Sequence, residues 1–353
     1  MPAIVTSDFA AASDGSTIWV YYQNDANELR EVTSSDGSKW TETSSAVADK
    51  LNAGGSPITA YYIKNDGTAG GKPAIHVIYI DASGILHEVV KTPLDNQKWE
   101  ARKLSDDIKK APIQTSRLAS GVCHDTAPGA HQWIFFEKLD SESGIPQIAE
   151  LRSGSESSFK WVYQTILPEK PASALPGTQL ATNITDPANR LFFQDHNGDV
   201  AEYIGGYDSW NGTDPLSPFS FPAFSSLSPP KSSPVPSHPT QPLRKPNNTA
   251  ADHAEILTND KVEINTPISA AESSVPEKPY VFYVSKSTPL MMMCYDHDKS
   301  TEVGKYYPGT KIDAITVGKK VLLFHKPLEH PGSVWTRVFD GSEWKMGAQV
   351  VGA

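Results

Sequence analysis

Cysteine is nearly missing from this chain, with only Cys123 and Cys294 among 353 residues. Two thiols cannot build a disulfide framework and neither stands at a metal-ligand spacing, so both read as small buried hydrophobes. No run of Lys and Arg offers itself to a phosphate backbone, and a net charge of -10 repels nucleic acid and anionic lipid alike. No segment approaches the roughly 18 consecutive apolar residues of a membrane span. The opening MPAIVTSDFAAASDG lacks the charged start and apolar core of a secretory signal, so a cytoplasmic protein without a membrane partner is expected. On that expectation the sequons at Asn183, Asn211 and Asn247 are incidental.

The short motifs of common chemistry are absent too. There is no nucleophile elbow, no H-E-x-x-H and no Gly-rich phosphate loop, so neither metal nor cofactor is expected. His124-Asp125 and His297-Asp298 sit in polar, turn-like contexts and read as surface loops.

Turn formers are plentiful: 28 Pro and 24 Gly, beside a hydrophobic fraction of 38%, favour many short strands over long helices. A repeat orders them. WVYYQNDANELRE, HVIYIDASGILHE, WIFFEKLDSESGIPQIAE and RLFFQDHNGDVAE begin at Trp19, His76, Trp133 and Arg190, each 57 residues after the last. Each copy is a period-2 apolar strand, a turn rich in Asn, Asp and Gly, and a second strand ending in Glu31, Glu88, Glu150 or Glu202. A tryptophan follows 8 to 11 residues later, at Trp40, Trp99, Trp161 and Trp210, and a small-residue strand precedes each copy. Weaker copies start at Tyr280 and Val321. The pattern predicts an all-β, six-bladed propeller with three to four antiparallel strands per blade. Its blades are expected near 8–50, 51–105, 106–168, 169–213, 250–308 and 309–353, with the N-terminal AIVTSDFAAAS pairing near WKMGAQVV to close the ring. The Pro/Ser-rich stretch 214–249, too poor in ladder-forming residues for a strand, is expected as an insertion after blade four. Its Phe219, Phe221 and Phe224 suit either a flap over a pocket or a segment that rests on its own blade.

These repeats resemble those of the fungal fucose-specific lectins, six-bladed propellers whose copies read roughly R-x-Y-x-Q, then L/I-x-E, then W. The resemblance implies sugar sites between adjacent blades: an Arg at the head of the repeat and a Glu further on grip hydroxyls, and a Trp on the neighbouring first strand covers the apolar face. Here the Glu persists in four copies, but the Arg position reads Trp19, His76, Trp133, Arg190, Tyr280 and Val321, and the Trp position reads Asp14, Ile63, Cys123 and Ile184. Only Arg190 and Glu202 keep the pair.

The replacements are aromatic and apolar. Trp19, Trp133 and Tyr280 stand where cations stood, with Tyr21, Phe135 and Phe282 two residues on along the same strand face and Met292 on a strand of blade five. They serve either as packing between blades or as walls for a flat or hydrocarbon ligand. On the second alternative the chain resembles the lectin-like hetero-Diels–Alderases of tropolonic sesquiterpenoid biosynthesis. That resemblance implies a cofactor-free pericyclase joining a tropolone quinone methide to a humulene-type terpene, with Arg190 and Glu202 as the catalytic, oxygen-binding pair and the aromatics and Met292 as substrate-binding residues. A fucose-binding lectin with one or two residual sites, or a non-catalytic interaction propeller, are the alternatives. The partners so implied are small apolar or aromatic molecules, or fucosylated glycans, with a homodimer compatible with either.

Overall fold

Strands whose residues are buried on both faces need a sheet neighbour on each side, and the runs IWVYYQ, HQWIFFEKL and NRLFFQ are of that kind. A computed structural model describes residues 2–92, 98–123, 131–154, 157–166, 174–184, 189–205, 253–257, 261–275 and 278–352. It consists of six four-stranded antiparallel sheets, each made of consecutive strands. Blade one holds β1 (Phe9–Ser13), β2 (Ile18–Gln23), β3 (Leu29–Ser34) and β4 (Thr41–Glu42). Blade two holds β5 (Ile58–Asp66), β6 (Lys72–Ile80), β7 (Leu86–Lys91) and β8 (Glu100–Arg102), and blade three holds β9 (Leu118–Cys123), β10 (His131–Leu139), β11 (Pro146–Ser153) and β12 (Val162–Ile166). Blade four holds β13 (Ala181–Ile184), β14 (Asn189–Gln194), β15 (Val200–Gly205) and β16 (His253–Leu257). Blade five holds β17 (Ser269–Ala271), β18 (Tyr280–Val284), β19 (Met291–Tyr295) and β20 (Ser300–Lys305), and blade six holds β21 (Asp313–Val317), β22 (Lys320–His325), β23 (Val334–Phe339) and β24 (Trp344–Val351). The first strands of neighbouring blades touch all the way round, β21 meeting β1, so the ring closes about a central axis. No helix among the described residues is long and apolar enough to cross a membrane.

The 57-residue beat is a beat of hydrogen bonds. Asn24, Asp81 and Asp195 open the turn after the second strand, and each accepts from the amides two and four residues on: Ala26 and Glu28 at 3.1 and 2.8 Å, Ser83 and Ile85 at 2.8 and 3.0 Å, Asn197 and Asp199 at 2.9 and 3.0 Å. Such a turn requires a left-handed residue, supplied by Asn27 (φ 60°), Gly84 (φ 74°) and Gly198 (φ 85°). One residue earlier on the same beat, Gln23 and Gln194 clamp the approach to the next blade. Gln23 donates to Asn52 O at 2.8 Å and accepts from Ser56 N at 2.9 Å, while Gln194 donates to Glu263 O and accepts from Thr266 N, both at 2.9 Å. Glu137 holds the same place in blade three and accepts from Gly177 N with both oxygens, at 3.0 and 3.1 Å.

Side chains alternate between the two faces of each sheet, so every core cluster belongs to a pair of blades. Trp19 and Tyr21 pack with Ile75 and Val77 of blade two, whereas Ile18 and Val20 pack with Leu322 and Phe324 of blade six. The remaining four interfaces repeat this division.

Two expectations need correction. β16 pairs with β15, so the Pro/Ser stretch, itself outside the described residues, falls in the sequence between two strands of blade four rather than after that blade. An open edge on β15 would leave backbone groups unpaired, and HAEIL returns to fill it. Closure also differs: β1 pairs with β2 and β24 with β23, with no strand exchanged between the ends. The N-terminal segment is held instead by the fully buried Lys326, whose Nζ donates to the carbonyls of Ile4, of Val5 at 3.0 Å and of Ser7 at 2.9 Å, while Ala3 N donates to Gly332 O at 2.9 Å.

Two outcomes are expected. Lys326→Met keeps the buried stem but takes the charged donor from three carbonyls, of which Ile4 O keeps Ser7 N and Oγ, and should lower stability by about 3 kcal/mol or more in urea denaturation. Burial raises the Glu137 carboxyl from 4.5 to about 7, against the opposing Gly177 amide and Arg117. The folded state therefore binds the extra proton between those values, and the stability this residue contributes is present below pH 4.5 and lost as pH rises through 7. Glu137→Gln keeps an acceptor for Gly177 N and should remove that component, up to about 3 kcal/mol, from the slope of stability against pH.

Candidate functional site

Pairing register decides which residues face each gap between blades. Across the second and third strands, Tyr21 lies opposite Glu31, Ile78 opposite Glu88, Phe135 opposite Glu150 and Phe192 opposite Glu202. The equivalent place in blade five is opposite Phe282 and is occupied by Cys294, whose thiol burial pushes far up. In blade six the expected head, Val321, is off by one. Val321 and Leu323 pack toward blade five, Leu322 and Phe324 toward blade one, so the residues facing the next gap are the exposed Lys320 and Val338 opposite Leu322. A one-residue slip in a period of two turns every side chain to the other face.

Each of the four glutamates is buried and meets a cation, but from a different source each time. Glu31 is gripped by Lys91 of blade two, with Nζ 2.7 and 2.6 Å from its two oxygens, and also accepts from Tyr21 Oη at 3.0 Å. Lys91 in turn lies 5.0 Å over Trp99, which meets Tyr21 edge-on. Glu88 bonds His76 Nδ1 at 2.7 Å, Arg102 Nη1 at 3.2 Å and, from blade three, Trp161 Nε1 at 2.6 Å. The other His76 nitrogen lies 3.1 Å from Asp66 Oδ2. Burial pulls the imidazole down, yet hydrogen bonds to Asp66 and Glu88 outweigh it and the ring is raised above its usual range. Glu150 pairs with Arg152, Nη2 to Oε1 at 2.8 Å; Arg152 lies directly across the ladder from Trp133 and 5.5 Å over its ring. There the guanidinium has crossed to the opposite strand. Glu202 alone has an arginine at the head of its own repeat, bonded through Arg190 Nη1.

The expected aromatic walls are core instead. Tyr21, Trp133, Phe135, Phe282 and Met292 are fully buried and Trp19 nearly so, each packed between two blades, because inner strands covered on both sides have no other use for large apolar side chains. Tyr280 is half-buried beside Phe339 at 5.8 Å. Of the first-strand positions, Ile63 and Cys123 are buried and Ile184 packs onto Gly121 so closely that a Cβ there would lie 2.3 Å from it. His297 sits in a turn, its Nε2 3.0 Å from Pro279 O; His124 and Asp125 lie outside the described residues, as do Trp210, Phe219, Phe221 and Phe224.

The gap between blades four and five differs from the rest. Arg190 and Glu202 face it from β14 and β15, and Asn183 of β13 lies opposite Arg190 in the ladder. Across the gap, β19 contributes Met293 and the half-buried Tyr295, a residue the sequence pattern did not single out. Burial, then Asp298, Asp296 and Glu202, raise the Tyr295 hydroxyl, so the ring stands within the field of Glu202 and stays neutral. Among the described residues, Arg190 Nε has no hydrogen-bond partner. A charged pair with a spare donor thus faces an aromatic ring.

The re-sourced pairs can be tested through Lys91 and Glu31, whose side chains are 7% and 2% exposed. Lys91→Met and Glu31→Gln should each cost about 3–5 kcal/mol, and the double variant less than their sum, because each single change leaves the other group buried and unpaired. Denaturation of the four proteins measures the cycle.

No family model and no curated protein matches the chain. Among solved structures it is similar to Aleuria aurantia lectin in complex with alpha-methyl-L-fucoside, at 18% identity and a TM-score of 0.68 over 99% of this chain and 97% of that one. AofleA from Arthrobotrys oligospora matches at 16% identity and a TM-score of 0.67 over 100% and 91%. The BP39L lectin from Burkholderia pseudomallei matches at 14% and 0.58 over 98% and 99%. The chain thus has the six-bladed propeller fold of the fungal fucose-specific lectins.

Proposed function

We propose that the protein is a carbohydrate-binding propeller with its principal sugar site between blades four and five. The observation that carries this reading is the Arg190–Glu202 pair, the one place where both members of the sugar-gripping pair stand on their own repeat. A guanidinium beside a carboxylate offers donors and acceptors for neighbouring hydroxyls, and the Tyr295 ring offers cover for the apolar side of a pyranose. Structures of the same fold are described in complex with alpha-methyl-L-fucoside, which makes a fucose-type sugar the first ligand to try. Elsewhere the glutamates are committed to Lys91, His76 with Arg102, or Arg152, and opening those contacts costs what the sugar would return. One such site supports millimolar affinity, about 4 kcal/mol, without the gain that several sites give a lectin on a cell surface. The cycloaddition reading asks for apolar walls open to substrate. The rings expected to provide them are packed in the blade interfaces, so nothing described favours it over sugar binding.

Titration calorimetry with methyl α-L-fucoside should give one weak site. Arg190→Ala and Glu202→Gln should each weaken it at least tenfold and Tyr295→Ala by several-fold, with no agglutination of fucosylated cells by the unaltered protein. No heat at high millimolar sugar, or binding indifferent to Arg190, would refute the assignment.

A further inference from the structure

The ring encloses an axial cavity of about 160 Å³ lined by residues of all six blades. Small side chains keep it open: Ala11, Ala60, Ala119, Ala181, Ala270 and Ala314 come one from each blade. Among its lining residues two are charged, Lys311 and Asp313, both from blade six. Lys311 reaches past blade one to blade two, where its Nζ donates to Ile58 O at 2.8 Å, the one acceptor it has among the described residues. Two of its N–H donors are left over. Asp313 keeps part of its surface open; one oxygen accepts from Ala11 N at 2.7 Å, the other from Ala314 N at 3.0 Å and Ser269 Oγ at 3.4 Å. A carboxylate has room for about four donors, so one place remains. Among the described residues no hydrogen bond or ion pair joins the two, though the Lys311 charge holds down the Asp313 carboxyl that burial raises. Elsewhere on the lining, Thr59 and Ser120 bond each other at 2.8 Å and Thr182 bonds Ser120 O at 2.7 Å, a band of hydroxyls with lone pairs to spare.

A cavity that holds a separated cation and anion complements a molecule carrying both charges in reverse. Its volume is close to the ~150 Å³ of a cavity that takes benzene, enough room for an amino acid of two or three carbons. A lone carboxylate would be repelled by Asp313, a lone ammonium by Lys311. We infer that the axial cavity is a binding site for a small α-amino acid zwitterion, its carboxylate on Lys311 and its ammonium on Asp313. Because the site touches every blade, occupancy stabilises the closed ring by mass action. The inference does not rest on the sugar reading, which concerns a different gap.

Saturation-transfer NMR and thermal unfolding of the full chain with glycine and with L-alanine test it. Transfer to the glycine methylene and a saturable rise in Tm are expected, with no such response to acetate, to methylammonium, or to glycine betaine, whose methylated nitrogen cannot donate to Asp313. Lys311→Met and Asp313→Asn should each weaken glycine at least tenfold, and Arg190→Ala should leave it unchanged. Absence of transfer to the unaltered protein, or an equal Tm rise with betaine or with acetate alone, would overturn the proposal, and these comparisons decide the matter even where a channel variant fails to fold.

Discussion

A carboxylate enclosed between two sheets must meet positive charge, and the interfaces of this propeller are arranged around that demand. Desolvating an isolated carboxylate costs several kcal/mol, more than the apolar packing of one residue returns. Where the head of the repeat no longer carries a guanidinium, another blade, another strand or a histidine supplies the cation. Blades five and six solve the problem differently, with Cys294 and Val338 in place of the acid and apolar and aromatic residues around them, while Arg337 of blade six lies against Gly304 of blade five. At three interfaces the acid has been recruited into structural ion pairs.

The tryptophan trailing each repeat shares in this arrangement. Trp161 donates to Glu88 of the preceding blade, Trp99 lies beneath the lysine that holds Glu31, and Trp344 meets Phe282 edge-on at 5.6 Å. At the fourth interface an aromatic from the next blade, Tyr295, is half open across the gap from Arg190 and Glu202, as Trp99 is beside Lys91 at the first.

Much of this was legible in the sequence because it is local. Period-2 runs, Asx-capped turns and a fixed interval between Trp19, His76, Trp133 and Arg190 are properties of neighbouring residues, and they define blades and hairpins without knowledge of the third dimension. The cation partners were not legible, since Lys91 lies 60 residues from Glu31, and Arg152, two residues past Glu150 on the same strand, stands outside the head position of the repeat. The sixth copy slipped because its second and third strands are joined by eight residues (326–333), against five or six in the other blades, which hides the phase of the alternation. The aromatics were ambiguous for a deeper reason: a ring that lines a pocket and a ring that fills an interface sit at the same places in a strand. Burial alone separates them.

Each blade is one unbroken stretch of chain, and the seam between the sixth and the first is closed without a shared sheet, by Lys326, by Asp313 at the axis and by the Ala3 amide on Gly332 O. The polypeptide can therefore be cut and rejoined at any inter-blade connection without dividing a sheet, a freedom denied to rings fastened by a borrowed strand. It also makes the seam the place where such a ring would open first, blade by blade, like a necklace unclasped.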